Sequence, residues 1–125
     1  TSPLRAVSDV ERCLDEYEKG TADTIITTTM AHRNPSFNMI KQDDSGFCSI
    51  LLPPDKTITR RQDAPAVYDM TTVAFVSNPH FVLKHKAIFD GRVRAVLIPH
   101  ERSIDIDTEF DFKIAEIFAD TEGEN

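Results

Sequence analysis

Six consecutive β-branched residues, Thr24-Ile25-Ile26-Thr27-Thr28-Thr29, limit the possible folds of this chain more than any other stretch. Side chains branched at Cβ are stiff about χ1, crowd a helix and suit a pleated surface, so a strand is predicted over 23–29. Immediately upstream, Val10, Cys13, Leu14 and Tyr17 recur at helical spacing behind Ser8-Asp9-Val10-Glu11, which has the form of a capping box. Gly20 supplies a stop, giving a helix over about 9–19 and a first αβ step. The pattern returns later, with strands predicted at Thr71–Val76 and Val93–Ile98 and a short helical turn opening at Asn78-Pro79. Thr108 and Asp111 form a second capping box, and Phe110, Ile114, Ile117 and Phe118 make the apolar stripe of the helix it opens. Strands alternating with helices imply an α/β layered domain.

The middle of the chain breaks that rhythm. Phe37–Lys41 and Phe47–Leu52 are predicted to pair as a hairpin across the turn-forming Asp43-Asp44-Ser45-Gly46. Pro53-Pro54 ends the pairing, and Arg60-Arg61-Gln62-Asp63-Ala64-Pro65 is an extended basic segment. The expected organisation is one domain over 1–125 carrying a β-rich insertion at about 33–70. In that hairpin Phe37, Met39, Phe47, Ser49 and Leu51 alternate, with too little neighbouring sequence to cover both faces. An exposed apolar face of this kind marks an interface, so a dimer or higher oligomer is expected.

Composition narrows the function classes. A chain of 125 residues with 40% hydrophobic content is one small globular domain. The 14 Lys and Arg against 21 Asp and Glu give a net charge of -7, a field that repels phosphate backbones and argues against nucleic-acid binding. No apolar run reaches the roughly 20 residues of a membrane span, and the first residues have no secretory character, so a cytoplasmic protein without membrane contact is expected. Cys13 and Cys48, the only cysteines, are too far apart in sequence for a CxxC pair and are read as reduced thiols.

The chemistry concentrates near the C-terminus. In Glu101-Arg102-Ser103-Ile104-Asp105-Ile106-Asp107, alternation predicts an extended stretch with both aspartates on one face and the isoleucines turned to the core. Two such carboxylates can share a hard divalent cation that keeps waters or phosphate oxygens as its other ligands. The same spacing also fits carboxylates that merely favour the positive end of the following helix.

Residues 100–116, H-E-R-S-I-D-I-D-T-E-F-D-F-K-I-A-E, resemble the C-terminal motif of the CMP-sialic acid synthetases, the acylneuraminate cytidylyltransferases. Three further stretches resemble that family's motifs in the same order: Thr1–Arg5 (T-S-P-L-R), His32–Met39 (H-R-N-P-S-F-N-M) and Arg61–Tyr68 (R-Q-D-A-P-A-V-Y). The resemblance implies a C-terminal portion of a three-layer, Rossmann-like nucleotidyltransferase fold whose insertion mediates dimerisation. It implies transfer of CMP from CTP to a nine-carbon α-keto acid sugar with Mg2+, so a nucleotide and a nonulosonic acid are the expected ligands. By resemblance Asp105 and Asp107 hold the metal; Arg5, Thr71 and Phe89 face substrate; and Asn38, Arg60, Arg61 and Gln62 belong to the dimer and partner-site segment. No residue is singled out as a catalytic acid, base or nucleophile.

The family's arginine- and glycine-rich CTP loop has no counterpart among the 4 glycines, no two of which are adjacent. The chain by itself is therefore expected to turn over poorly, and a non-catalytic dimeric binding or assembly module is the alternative. Thr71-Thr72 stands where the family has Asn-Gly, and Asn38 where some members have lysine, which resembles the legionaminic- and pseudaminic-type branch.

Overall fold

The computed structural model describes residues 2–53 and 64–122, with the side chains of 121 and 122 outside the description. The chain divides into two compact units, one drawn from Thr1–Thr29 and Asp69–Asn125, the other Met30–Tyr68.

The first unit is mixed α/β. Its elements are helix α1 (Val7–Glu18) and strand β1 (Thr24–Met30), followed after the second unit by β4 (Tyr68–Ser77), α2 (Pro79–Lys84), β5 (Val93–Leu97) and α3 (Glu109–Glu122). Single 3-10 turns at Ile88–Asp90 and His100–Arg102 flank β5. The sheet has the order β4-β1-β5. β1 and β5 run parallel, with Thr24 opposite Val93 and Thr28 opposite Leu97. β4 runs against β1: Thr24 Oγ1 meets Ser77 Oγ at 2.6 Å, while Thr27 Oγ1 accepts from the Ala74 N–H at 3.2 Å, so the partner number falls as β1 advances.

β1 is the middle strand, which explains its composition. Its first six residues are all buried, and the hydroxyls of Thr24 and Thr27 are satisfied inside the sheet. Thr71 Oγ1 donates to Thr27 Oγ1 at 2.7 Å, so a threonine-rich strand is buried without leaving those polar atoms unmatched. Cys13, Ala22, Ile25, Val73, Val96 and Ile98 form the core around it. Burial pushes the Cys13 thiol up, away from the reactive thiolate.

Several sequence expectations shift. α1 begins at Val7 rather than after Ser8, because the Asp9 carboxylate, not the Ser8–Glu11 pair, accepts the Ala6 N–H, at 3.0 Å. Ile104–Asp107 forms no strand: β5 ends at Leu97, and Asp105 is half-buried together with both isoleucines while Asp107 is exposed. The buried stripe of α3 is rotated from the expected one. Ala115 is buried and Asp111, Ile114 and Phe118 are half-buried, while Phe110 and Ile117 stay exposed. The second capping box forms as the sequence implies, with the Asp111 N–H donating to Thr108 Oγ1 at 3.2 Å and the Thr108 N–H to Asp111 Oδ2 at 2.8 Å.

The second unit contains the hairpin of β2 (Ile40–Gln42) and β3 (Cys48–Ile50), antiparallel and shorter than the apolar alternation suggests. Its turn is built by Asp43, whose Oδ1 accepts the N–H groups of Ser45 at 2.9 Å and Phe47 at 3.0 Å. Gly46, at φ 87, occupies the left-handed conformation that other residues resist. Residues 35–39 curl around Asn34, whose carbonyl accepts from Phe37, Asn38 and Met39, which removes Phe37 from the paired strand. Cys48 is exposed. Among the described residues no helix is long and apolar enough to cross a membrane.

Candidate functional site

Three segments far apart in sequence meet at the end of the sheet where β4 begins and β1 finishes. Ser2, buried, places its hydroxyl 2.6 Å from Thr72 Oγ1. The Thr72 side chain is among the groups that hold the Asp105 carboxyl below its ordinary range. Arg5 lies across the same segments, donating from Nε to the Ser2 carbonyl at 3.3 Å and from Nη1 to the Val73 carbonyl at 3.2 Å. Strand geometry makes this convergence possible, because alternate residues of β4 face opposite sides. Thr71 and Val73 turn into the core, and Thr72 turns outward toward Ser2 and Asp105.

That alternation separates the two threonines by role. The resemblance points to Thr71 for substrate, but its hydroxyl is buried and given to Thr27. Thr72 is the one whose hydroxyl belongs to the cluster.

Asp105 hangs on a short, rigid approach. Ile98 is buried at the end of β5, and the backbone then closes a 3-10 turn in which Ser103 donates its hydroxyl to the His100 carbonyl at 2.8 Å. Arg102, within that turn, reaches α1 and grips Asp9 with both arms of its fork, Nε to Oδ2 and Nη2 to Oδ1, each at 2.9 Å. The Arg102 guanidinium holds the Asp9 carboxyl below its ordinary range despite complete burial of the side chain, with the Ala6 N–H assisting. Nothing in the local sequence pairs residues 9 and 102, and sequence reading missed both.

Downstream, the Asp107 N–H donates to Asp111 Oδ2 at 3.3 Å. The Thr108 hydroxyl, then the Thr108 and Asp107 amides, hold the Asp111 carboxyl below its ordinary range, against partial burial and the nearby charge of Asp105. Asp105 and Asp107 therefore lie on one tight loop joined to the first turn of α3. Among the described residues no group of three or more His, Cys, Asp or Glu side chains is arranged to hold a metal. Two hard carboxylates suit a cation such as magnesium, which takes one or two of them and completes its shell with water and phosphate oxygens.

Other expected site residues lie elsewhere. Phe89 is exposed in the 3-10 turn that precedes β5, whereas Asp105 follows the strand's other end. The five residues of β5 span about 16 Å at the usual rise, so the fold does not bring Phe89 to the Asp105 cluster. A largely apolar cavity of about 260 Å³ occupies the Phe89 end of the unit, between Thr24, Ser77, Phe81, His85 and Ile88. In the second unit, Asn38 accepts the Asn34 N–H on its amide oxygen at 2.6 Å, which gives it a part in shaping its own turn. Arg60, Arg61 and Gln62 lie outside the described residues.

No family model matches the chain. Among curated proteins it is similar to post-translational flagellin modification protein B of Campylobacter coli, 28% identical over 93% of this chain and 48% of that protein. It is also 30% identical to the N-acylneuraminate cytidylyltransferase of Streptococcus agalactiae, over 90% of this chain and 27% of the relative. The CMP-N,N'-diacetyllegionaminic acid synthase of Campylobacter jejuni is 29% identical over 74% of this chain and 38% of its own length. The chain is thus a homologue of CMP-sialic and CMP-legionaminic acid synthetases and of a flagellin modification protein, and it spans between 27% and 48% of the lengths of these relatives.

Proposed function

We propose that the chain forms the metal- and sugar-handling part of a cytoplasmic CMP-nonulosonic acid synthetase with a layered nucleotidyltransferase fold. The reaction joins the anomeric hydroxyl oxygen of a nine-carbon α-keto acid sugar to the α-phosphorus of CTP and breaks that phosphorus's bond to pyrophosphate, the leaving group. The observation that carries the reading is the convergence of Ser2, Thr72 and Asp105, which brings the first and last family-like motifs of the sequence to one place.

Asp105 and Asp107 would hold magnesium. When bound, that ion would offset phosphate charge and favour ionisation of an attacking hydroxyl. Thr72, beside Asp105, would help to keep that carboxylate ionised and ready for a cation. Arg5, pinned on two backbone carbonyls, keeps a permanent cation beside the cluster and suits the sugar's carboxylate or a phosphate oxygen. Thr72 replaces Thr71 as the proposed polar contact to substrate. The protein would work as a homodimer through the second unit, where Phe47 and Ile40 are exposed, with Asn38, Arg60, Arg61 and Gln62 belonging to that interface.

Pyrophosphate release from CTP by the full-length protein, with magnesium and a panel of nine-carbon α-keto acids, tests the proposal. Release with at least one sugar, reduced at least a hundredfold by Asp105→Asn, is expected. Absence of release with every sugar, or release untouched by that substitution, overturns it.

A further inference from the structure

We infer that the Asp9–Arg102 pair is a positioning device for the site, tying together the two segments that carry Ser2 and Asp105; this rests on the reading of Ser2, Thr72 and Asp105 as the metal and substrate site. One Asp9 carboxylate touches both segments. Its Oδ2 accepts the Ala6 N–H at 3.0 Å, next to Arg5, and the Arg102 Nε at 2.9 Å, three residues before Asp105. Its Oδ1 takes the second Arg102 arm, also at 2.9 Å. Two parallel bonds fix the plane of the guanidinium as well as its distance, and a lysine at the same position would fix neither.

The surroundings make a role in stability alone an insufficient account. Asp9 is fully buried while Arg102 keeps partial solvent contact, and an ion pair of that kind contributes little net stability over a well-packed apolar pair. What it adds is geometry. The segment 103–106 has no regular structure, and β5 has already ended at Leu97. The grip on Asp9 adds, to the internal bonds of the Pro99–Ser103 turn, a reference to α1 and to the 2–6 arm.

The test uses the 125-residue chain, isotopically labelled, with Mn2+ alone as the probe of the carboxylate pair and amide hydrogen exchange as a readout that needs no metal. In Arg102→Lys, the amides of 103–107 are expected to exchange at least tenfold faster while those of β1 stay within twofold. The Mn2+ concentration that broadens the Asp105 and Asp107 amides should rise at least fivefold. Asp9→Asn keeps the side chain's shape and removes its charge, so it decides the matter from the other partner should the lysine variant not fold. Loop amides unchanged, or accelerated only in step with β1, would overturn the positioning role. Wild-type chain without Mn2+ broadening but with the local exchange response would uphold positioning and count instead against the metal reading.

Discussion

The two units of this protein are held together by different means. In the first, β1 is buried along nearly its whole length and a contiguous apolar core surrounds it. In the second, no described residue is buried, and shape comes from local polar bonds: Asn34 and Asn38 lock one turn, Asp43 another, and Phe47 stands 76% exposed. A two-stranded hairpin of this size is marginal by itself in water. The difference teaches that turn chemistry can specify a conformation without a core, but leaves its apolar side chains for something outside the unit to cover.

The largest expected effect falls in the first unit. Asp9→Ala removes both bonds that the partly buried Arg102 guanidinium makes to α1, and urea unfolding should show a loss of about 3 kcal/mol, at the lower end for a broken buried pair because Arg102 keeps some solvent. A loss below about 0.5 kcal/mol would erase the contrast between the units, since that is the ordinary size of a surface substitution.

Acid should act on the same pair. Because Arg102 lowers the folded carboxyl of Asp9 relative to the unfolded chain, its contribution is fully present above the ordinary aspartate value of 3.8 and is lost as pH falls through the lower folded value. Thermal melts from pH 6 down to pH 2 should therefore lose stability less steeply in Asp9→Asn than in the wild type. Equal slopes would show that the pair does not set the acid limb.

Gly91→Ala comes next. A Cβ there would overlap Phe81 Cε2 and lie 3.0 Å from Asp23 Oδ2, so the ring that stacks on His85 with a centroid separation of 4.5 Å must swing away. A ring can move where backbone cannot, and the expected cost is about 1 kcal/mol, the low end for overpacking. Calorimetry reads it, and an unchanged melting temperature would mean that the ring yields freely.

The smallest effect on folding belongs to the second unit, where Phe47→Asp should leave the unfolding midpoint of the first unit within about 0.5 kcal/mol of wild type. The same substitution should shift light scattering toward monomer, because a charge in an apolar contact loses solvation without gaining a partner. A dimer that withstands it would place the interface on another surface.

How much of this was legible in advance follows the range of the interactions. The β1 strand, the Thr108–Asp111 box and the Asp43–Gly46 turn are local, each decided by side chains within a few residues of the backbone they organise. The start of α1 was misplaced because Ser8 and Glu11 satisfy the local rule, while the residue in use, Asp9, is also held by a partner 93 positions away. Ile104–Asp107 read as an extended face because alternation alone carries no information about whether a neighbouring strand exists to pair with.

For the site the division is the same. The residue types, Asp105 and Asp107 in a family-like motif and Arg5 in another, stand in the sequence. Which of two adjacent threonines faces Asp105 was decided by how β4 lies against β1, and the separation of Phe89 from that cluster by the length of β5. By itself the sequence determined the β1 strand, the Thr108–Asp111 box and the Asp43–Gly46 turn, since their hydrogen bonds and rotamer preferences close over a few residues. Only the tertiary structure decided which side chains meet, because bringing residues 2, 72 and 105 to one place depends on strand order, register and a buried ion pair that no local pattern encodes.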